Sequence, residues 1–178
     1  GDLKKLTISD HLSDCLAAFD FIKKIGGVEF EDISVLGSSY GGYLACLLTA
    51  KRPVNNLILK APALYDDAVF ESPNDYYTPA SLEYRSRHHD TSDNQALSAI
   101  SKFKGNILFI ECEKDDEVPK QVTEDYRQTI TVNYDYELLA GADHALKLPA
   151  ANKAFIAVLE KWFVNLASKN AASKKKSL

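Results

Sequence analysis

Three positions in this 178-residue chain carry side chains suited to acyl-transfer chemistry: Ser39, an aspartate at 115 or 116, and His144. A serine hydroxyl is a poor nucleophile until a base takes its proton. Histidine can accept that proton and return it to a leaving group, and a carboxylate can hold the imidazole in one tautomer and stabilise its cation. Ser39 sits in Gly37-Ser38-Ser39-Tyr40-Gly41-Gly42, which contains the G-x-S-x-G pattern of a nucleophile elbow. The spacing has a steric basis. A serine at the apex of a tight strand-to-helix turn is forced into a strained backbone, and side chains two residues away on either side would meet the adjoining strand or helix. Glycine at 37 and at 41 is expected to remove that clash. Alone the pattern says little, because roughly one chain in twenty of this length would carry it by chance. A glycine-rich strand-to-helix turn is equally suited to holding a phosphate.

The flanking residues decide how the three positions can meet. Residues 33–36 are mostly apolar and predict a short strand running into the elbow; residues 43–48 predict an apolar helix leaving it. Upstream, Thr7 or Ser9 can cap a helix whose apolar face carries Leu12, Cys15, Leu16, Phe19 and Ile22, ended by Gly26-Gly27. Lys51-Arg52 suits the negative end of the elbow helix, and Pro53 stops it. Residues 56–61 and 106–112 predict two further buried strands, and residues 134–139 alternate as a strand nearer an edge. Pro149 opens a long amphipathic helix with Phe155, Ile156, Leu159, Trp162, Phe163 and Leu166 on its inner face. Strands alternate with helices, so the expected class is α/β with a mainly parallel sheet. Residues 65–104 break the pattern. They hold Pro73, Pro79 and the aromatics Tyr65, Phe70, Tyr76, Tyr77 and Tyr84, with a weak helix over 94–103. An insertion this long between core strands reads as a small cap over the site, with a plain surface excursion as the alternative. His88, His89 and His11 read as solvated. The expected organisation is one domain over 1–168 and a flexible basic tail over 169–178.

Composition narrows the partners. The chain is 46% hydrophobic and 26% charged, with a net charge of −4, which suits a packed globular core. It has no basic stripe interleaved with aromatics, so nucleic acid is not an expected partner. No apolar run approaches bilayer length and no signal peptide opens the chain, so neither membrane insertion nor secretion is expected. Cys15, Cys46 and Cys112 lie in apolar segments without metal-ligand spacing. They predict reduced core thiols, a cytoplasmic setting, and neither metal nor cofactor. The chain contains no methionine, so the expectation is a processed or engineered chain, or a piece of something longer.

Each of the three positions falls at the C-terminal end of a predicted strand, the edge where ligands gather in open α/β sheets. Their order, Ser-Asp-His, together with GSSYGG, ECEKDDEVP and GADHAL after successive strands and LILKAPAL after the elbow helix, resembles the α/β-hydrolase superfamily. The likeness is strongest to small-acyl and cinnamoyl-type esterases and to prolyl-oligopeptidase-like hydrolases. The resemblance implies a serine hydrolase of small acyl or aryl esters, acting through Ser39, His144 and an aspartate. It places the acid three residues before Val-Pro, which selects Asp115 with Asp116 as the alternative, and it gives the Tyr40 N–H an oxyanion role.

The resemblance also implies features absent from these residues. The superfamily has several strands before the elbow and a loop, often His-Gly, that donates a second oxyanion N–H. Only 38 residues precede Ser39 and no His-Gly pair occurs. The expectation is therefore the C-terminal part of such a domain, with Gly1-Asp2-Leu3 resembling the end of a longer loop. Losing the second donor lowers kcat by about 10²–10³. Two function classes follow: an esterase, or a non-catalytic half-domain that needs a partner segment. The edge of the strand before Ser39 is expected to be covered by a second copy or by a complementing chain.

Overall fold

The computed structural model describes residues 5–27, 33–73 and 78–176, with the side chains of 170 and 172–176 left aside. Gly1-Asp2-Leu3, Tyr76 and Tyr77 lie outside that set. Four strands, β1 (Ser34–Ser38), β2 (Asn56–Lys60), β3 (Asn106–Lys114) and β4 (Asp135–Asp143), form one sheet in the order β1-β2-β3-β4. All three pairings are parallel. The helices are α1 (Ile8–Ile22), α2 (Tyr40–Thr49), α3 (Pro79–Arg85), α4 (Gln95–Lys102), α5 (Lys120–Thr129) and α6 (Pro149–Lys176).

Alternation along each strand divides the core into two layers. Leu57 and Leu59 of β2, with Ile107 and Phe109 of β3, face a cluster built with α1, α2, α4 and α5. Ile58, Leu108, Ile110 and Cys112 face the other way, onto Ala151, Trp162 and Leu166 of α6. Strands buried on both faces need apolar side chains at nearly every position, which is why β2 reads as a continuous apolar run.

Local chemistry sets the ends. Thr7 caps α1 in a full capping box with Asp10, and Gly27 takes φ +85 after the helix. Arg52 does not serve the dipole of α2, which stops at Thr49; it forms a two-pronged ion pair with Asp20 of α1 at 2.6 and 2.7 Å. Helix α6 continues to Lys176, through the segment expected to be a flexible tail. Of its predicted inner face, Trp162 and Leu166 are buried, whereas Ile156 and Phe163 are exposed. A 28-residue helix outruns the sheet it packs on, so its apolar positions are not all covered.

The insertion is more ordered than its sequence pattern suggests. Thr78 caps α3 and Asn94 caps α4 through its side-chain oxygen. His89, expected at the surface, is 7% exposed and stacks on Tyr84 with ring centroids 3.7 Å apart. The buried Asp125 of α5 takes the His88 ring at 2.7 Å and the His89 N–H at 2.9 Å. The hydrogen bond and charge of Asp125 push His88 above its usual value. His11, also expected to be solvated, bonds the Tyr40 hydroxyl through Nδ1 at 2.8 Å.

The glycines around the elbow differ from expectation. A Cβ on Gly37 would come within 2.7 Å of the Gly41 carbonyl carbon and the Gly42 Cα. A Cβ on Gly41 meets nothing within 4 Å among the described residues, while one on Gly42 would lie 2.8 and 2.9 Å from Pro62 Cβ and Cα. The tight contact on the helix side is therefore at 42, where α2 crosses the backbone leaving β2. Gly42→Ala is expected to cost about 1–3 kcal/mol through overpacking. Gly41→Ala is expected to leave stability unchanged or raise it by about 0.5–1 kcal/mol. Urea titration of both variants checks the order, and equal losses would contradict it.

Candidate active site

The strained backbone positions of this fold collect at one edge. Among the described residues, the non-glycine residues with positive φ are Ser39 (φ 54), Ala61 (φ 43) and Leu146 (φ 53). They follow β1, β2 and β4 at their carboxyl ends. Such conformations cost about 1–3 kcal/mol each and persist only where surrounding bonds hold them. At Ser39 those bonds are visible: its N–H donates to the Lys60 carbonyl and its own carbonyl accepts from the Ala63 N–H, both at 3.0 Å. The side chain is thereby presented at the start of α2, whose first residue is Tyr40.

Asp115 follows β3 and His144 follows β4. The two side chains meet, with His144 Nδ1 2.7 Å from Asp115 Oδ2. Asp115 Oδ1 accepts the N–H groups of Glu117 and Val118 at 3.0 and 2.9 Å, which fixes the carboxylate on its loop. Burial pushes this carboxyl up. The bonds from His144, Val118 and Glu117 more than offset that and hold it below its usual value. Asp116 makes no such contact and lines the pocket in front of Ser39 instead.

That pocket, about 240 Å³, is lined by Ser39, Leu82, Arg85, Asp116, Glu117 and Val118. Leu82 and Arg85 come from α3, so the insertion supplies one wall. Glu117 Oε2 lies 3.7 Å from His144 Nε2. Among the described residues no hydrogen bond joins the Ser39 hydroxyl to His144. The structure thus brings Asp115 and His144 into contact and puts Ser39 on the same pocket as Glu117, the neighbour of Nε2.

Four residues at this site were not singled out from the sequence: Leu82, Arg85, Glu117 and Lys60. Lys60 carried a signal, being the lone charged residue of its strand, directly after the apolar run Leu57-Ile58-Leu59. Glu117 sits in a run of charges and was indistinguishable from a solvated loop. Arg85 is buried against Tyr65, its guanidinium carbon 5.5 Å from the ring centroid, a contact between segments twenty residues apart.

The sequence profile of the prolyl oligopeptidase family matches residues 2–170. The chain belongs to that family. An acylamino-acid-releasing enzyme of Arabidopsis thaliana is 35% identical over a 127-residue alignment that covers 62% of this chain and 16% of that protein. The chain therefore spans a small part of the curated relative it matches. Dipeptidyl peptidase 4 of Porphyromonas gingivalis superposes with a TM-score of 0.64 at 20% identity, over 90% of this chain and 23% of that one. Est1E of Butyrivibrio proteoclasticus, in a structure with ferulic acid bound, gives a TM-score of 0.69 at 20% identity, over 92% and 71% of the two chains. These likenesses establish an α/β-hydrolase fold, as the sequence signatures implied. Among the described residues no helix is long and apolar enough to cross a membrane.

Proposed function

We propose that the chain provides the nucleophile, base and acid of a serine acyl hydrolase, with Ser39, His144 and Asp115 in those roles. The observation that carries this reading is the half-buried Asp115–His144 pair, 2.7 Å apart, beside a pocket lined by a serine held at φ 54. His144 Nε2 takes the Ser39 proton as Oγ attacks the acyl carbon. The Tyr40 N–H supports the oxyanion, and the proton passes to the departing alcohol or amine, leaving an acyl-serine that water cleaves. Gly37 is the steric relief that lets the elbow close, and Gly41 borders it. Substrates of this reading are small acyl or aryl esters. The 35% identity to an acylamino-acid-releasing enzyme favours adding N-acylated peptides to the panel.

A second reading is favoured by one observation, the missing hydrogen bond between Ser39 and His144. In it the site closes only when a further segment or a second copy adds to the edge of β1 that pairs with no strand among the described residues, beside Leu36, which is 46% exposed. The test is labelling by a fluorophosphonate, mapped by mass spectrometry, followed by hydrolysis of an acyl-chain series, aryl esters and N-acyl peptides. Labelling at Ser39 with turnover of one class supports the first reading. An inert Ser39 that becomes reactive on adding a segment carrying further strands supports the second.

A further inference from the structure

Lys60 is the last residue of β2 and is only 5% exposed, in a strand whose other members are all buried. A buried ammonium needs partners for its three donors. Among the described residues, its hydrogen-bond acceptor is the backbone carbonyl of His144. To reach it the side chain passes over the carboxyl end of β3, on the face shared with Ile58, Ile110 and Cys112. It runs close enough to Cys112 that its charge offsets part of the upward push that burial gives that thiol. The same residue's backbone carbonyl accepts the N–H of Ser39 at 3.0 Å.

We infer that Lys60 is a positioning residue, a single strut that bonds the main chain of Ser39 at one end and the main chain of His144 at the other, and so sets the distance across which the proton moves. Resting on the hydrolase reading above, this assigns a role to a residue that touches neither substrate nor reacting atoms. The need for such a strut follows from topology. Ser39 follows β1 and His144 follows β4, with two strands between them, and no hydrogen bond joins their side chains directly. His144 is also tied to the β3 side, by its ring on Asp115 at 2.7 Å and by the pairing of Asp143 with Lys114. Its turn is shaped by the Leu146 N–H on the Asp143 carbonyl at 3.2 Å and the Lys147 N–H on the Asp143 carboxylate at 2.9 Å. Those contacts reach no further than β3, whereas the Lys60 bond ties the His144 main chain directly to β2, the strand beside β1. A methionine at 60 would fill the space and leave the His144 carbonyl buried without its donor. Geometry errors near 1 Å between reacting groups cost about 10²-fold in rate.

The test uses the intact chain and two readouts. In the wild type, nitrogen-detected NMR should show a slowly exchanging Lys60 amine with a through-hydrogen-bond coupling to the His144 carbonyl carbon. An amine exchanging like the surface lysines, without that coupling, overturns the assignment before any variant is made, and decides alone if Lys60→Met does not fold. In a folded Lys60→Met chain, kcat toward the best ester should fall about 10²-fold with KM within about threefold. The downfield proton shared by His144 Nδ1 and Asp115 should move or disappear. An unmoved proton with unchanged kcat overturns the proposal. Both NMR readouts need no turnover, so a chain that hydrolyses nothing counts against the hydrolase reading alone and leaves the strut still to be judged by its coupling.

Discussion

Ser39→Ala is expected to remove fluorophosphonate labelling and to lower ester hydrolysis by about 10⁴- to 10⁶-fold, as when a nucleophile is deleted from a working triad. Alanine keeps the same Cβ as serine, so the strained φ of 54 and the bonds to Lys60 and Ala63 are retained and the fold should survive. Comparing labelling, turnover and thermal melting of the two proteins is sufficient. Residual hydrolysis at the wild-type rate would locate the activity elsewhere and defeat the reading of the elbow.

The second large effect separates two adjacent carboxylates. Asp115→Asn should lower kcat by about 10⁴-fold, because an amide at that place leaves the imidazole in the wrong tautomer and without a counter-charge. Asp116→Asn should stay within about threefold, since its side chain lines the pocket and does not touch the ring. The two variants should also differ in the acid sensitivity of the fold. Asp115 is held below the usual 3.8, so its contribution to stability is present above that value and is lost as pH falls through the folded-state pKa. Asp115→Asn should lack that acid-side loss in denaturant titrations, while Asp116→Asn keeps it. A larger kinetic effect at 116 would transfer the acid role.

What could be read from the sequence was whatever is decided locally. The strand, turn and helix around Ser39 follow from apolar runs and from steric demands within six residues, and the start of α1 shows in its two candidate caps, Thr7 and Ser9, of which the structure uses Thr7. The parallel sheet follows from strands that are apolar on both faces. Residues whose environment is assembled from distant segments were not legible. Helix α3 buries Ser81, Tyr84 and Arg85, polar or part-polar side chains that leave no apolar stripe. His89 is covered because Tyr84 stacks on it and Asp93 and the Tyr84 carbonyl take its two ring nitrogens at 2.9 and 2.7 Å. The G-x-S-x-G pattern assigns Gly41 the steric burden that Gly42 carries, since the neighbour that matters is Pro62, twenty residues on. The preference for Asp115 over Asp116 came only from the resemblance; the loop bonds to Val118 and Glu117 supply its physical cause.

The insertion is fastened on both sides of the site, and on the elbow side Tyr65 meets the Tyr40 and Tyr43 rings of α2 edge-on at 5.3 and 5.2 Å. Asp125 of α5 grips His88 and His89, and Gln121 of the same helix donates to the Arg85 carbonyl at 2.7 Å. Helix α5 follows directly on the loop of Asp115 and Glu117. The wall carrying Leu82 and Arg85 is thus tied to the acid loop through α5 and to the elbow helix through Arg85 on Tyr65. A hinged door is a poor description of such a mouth. Its aperture is fixed by backbone, and admission is decided by the side chains at its rim, Leu82 and Glu117 foremost. Trimming either one should widen the range of acyl groups accepted without loosening the fold, whereas loosening the Asp125 clasp should disturb the cap and the acid loop together.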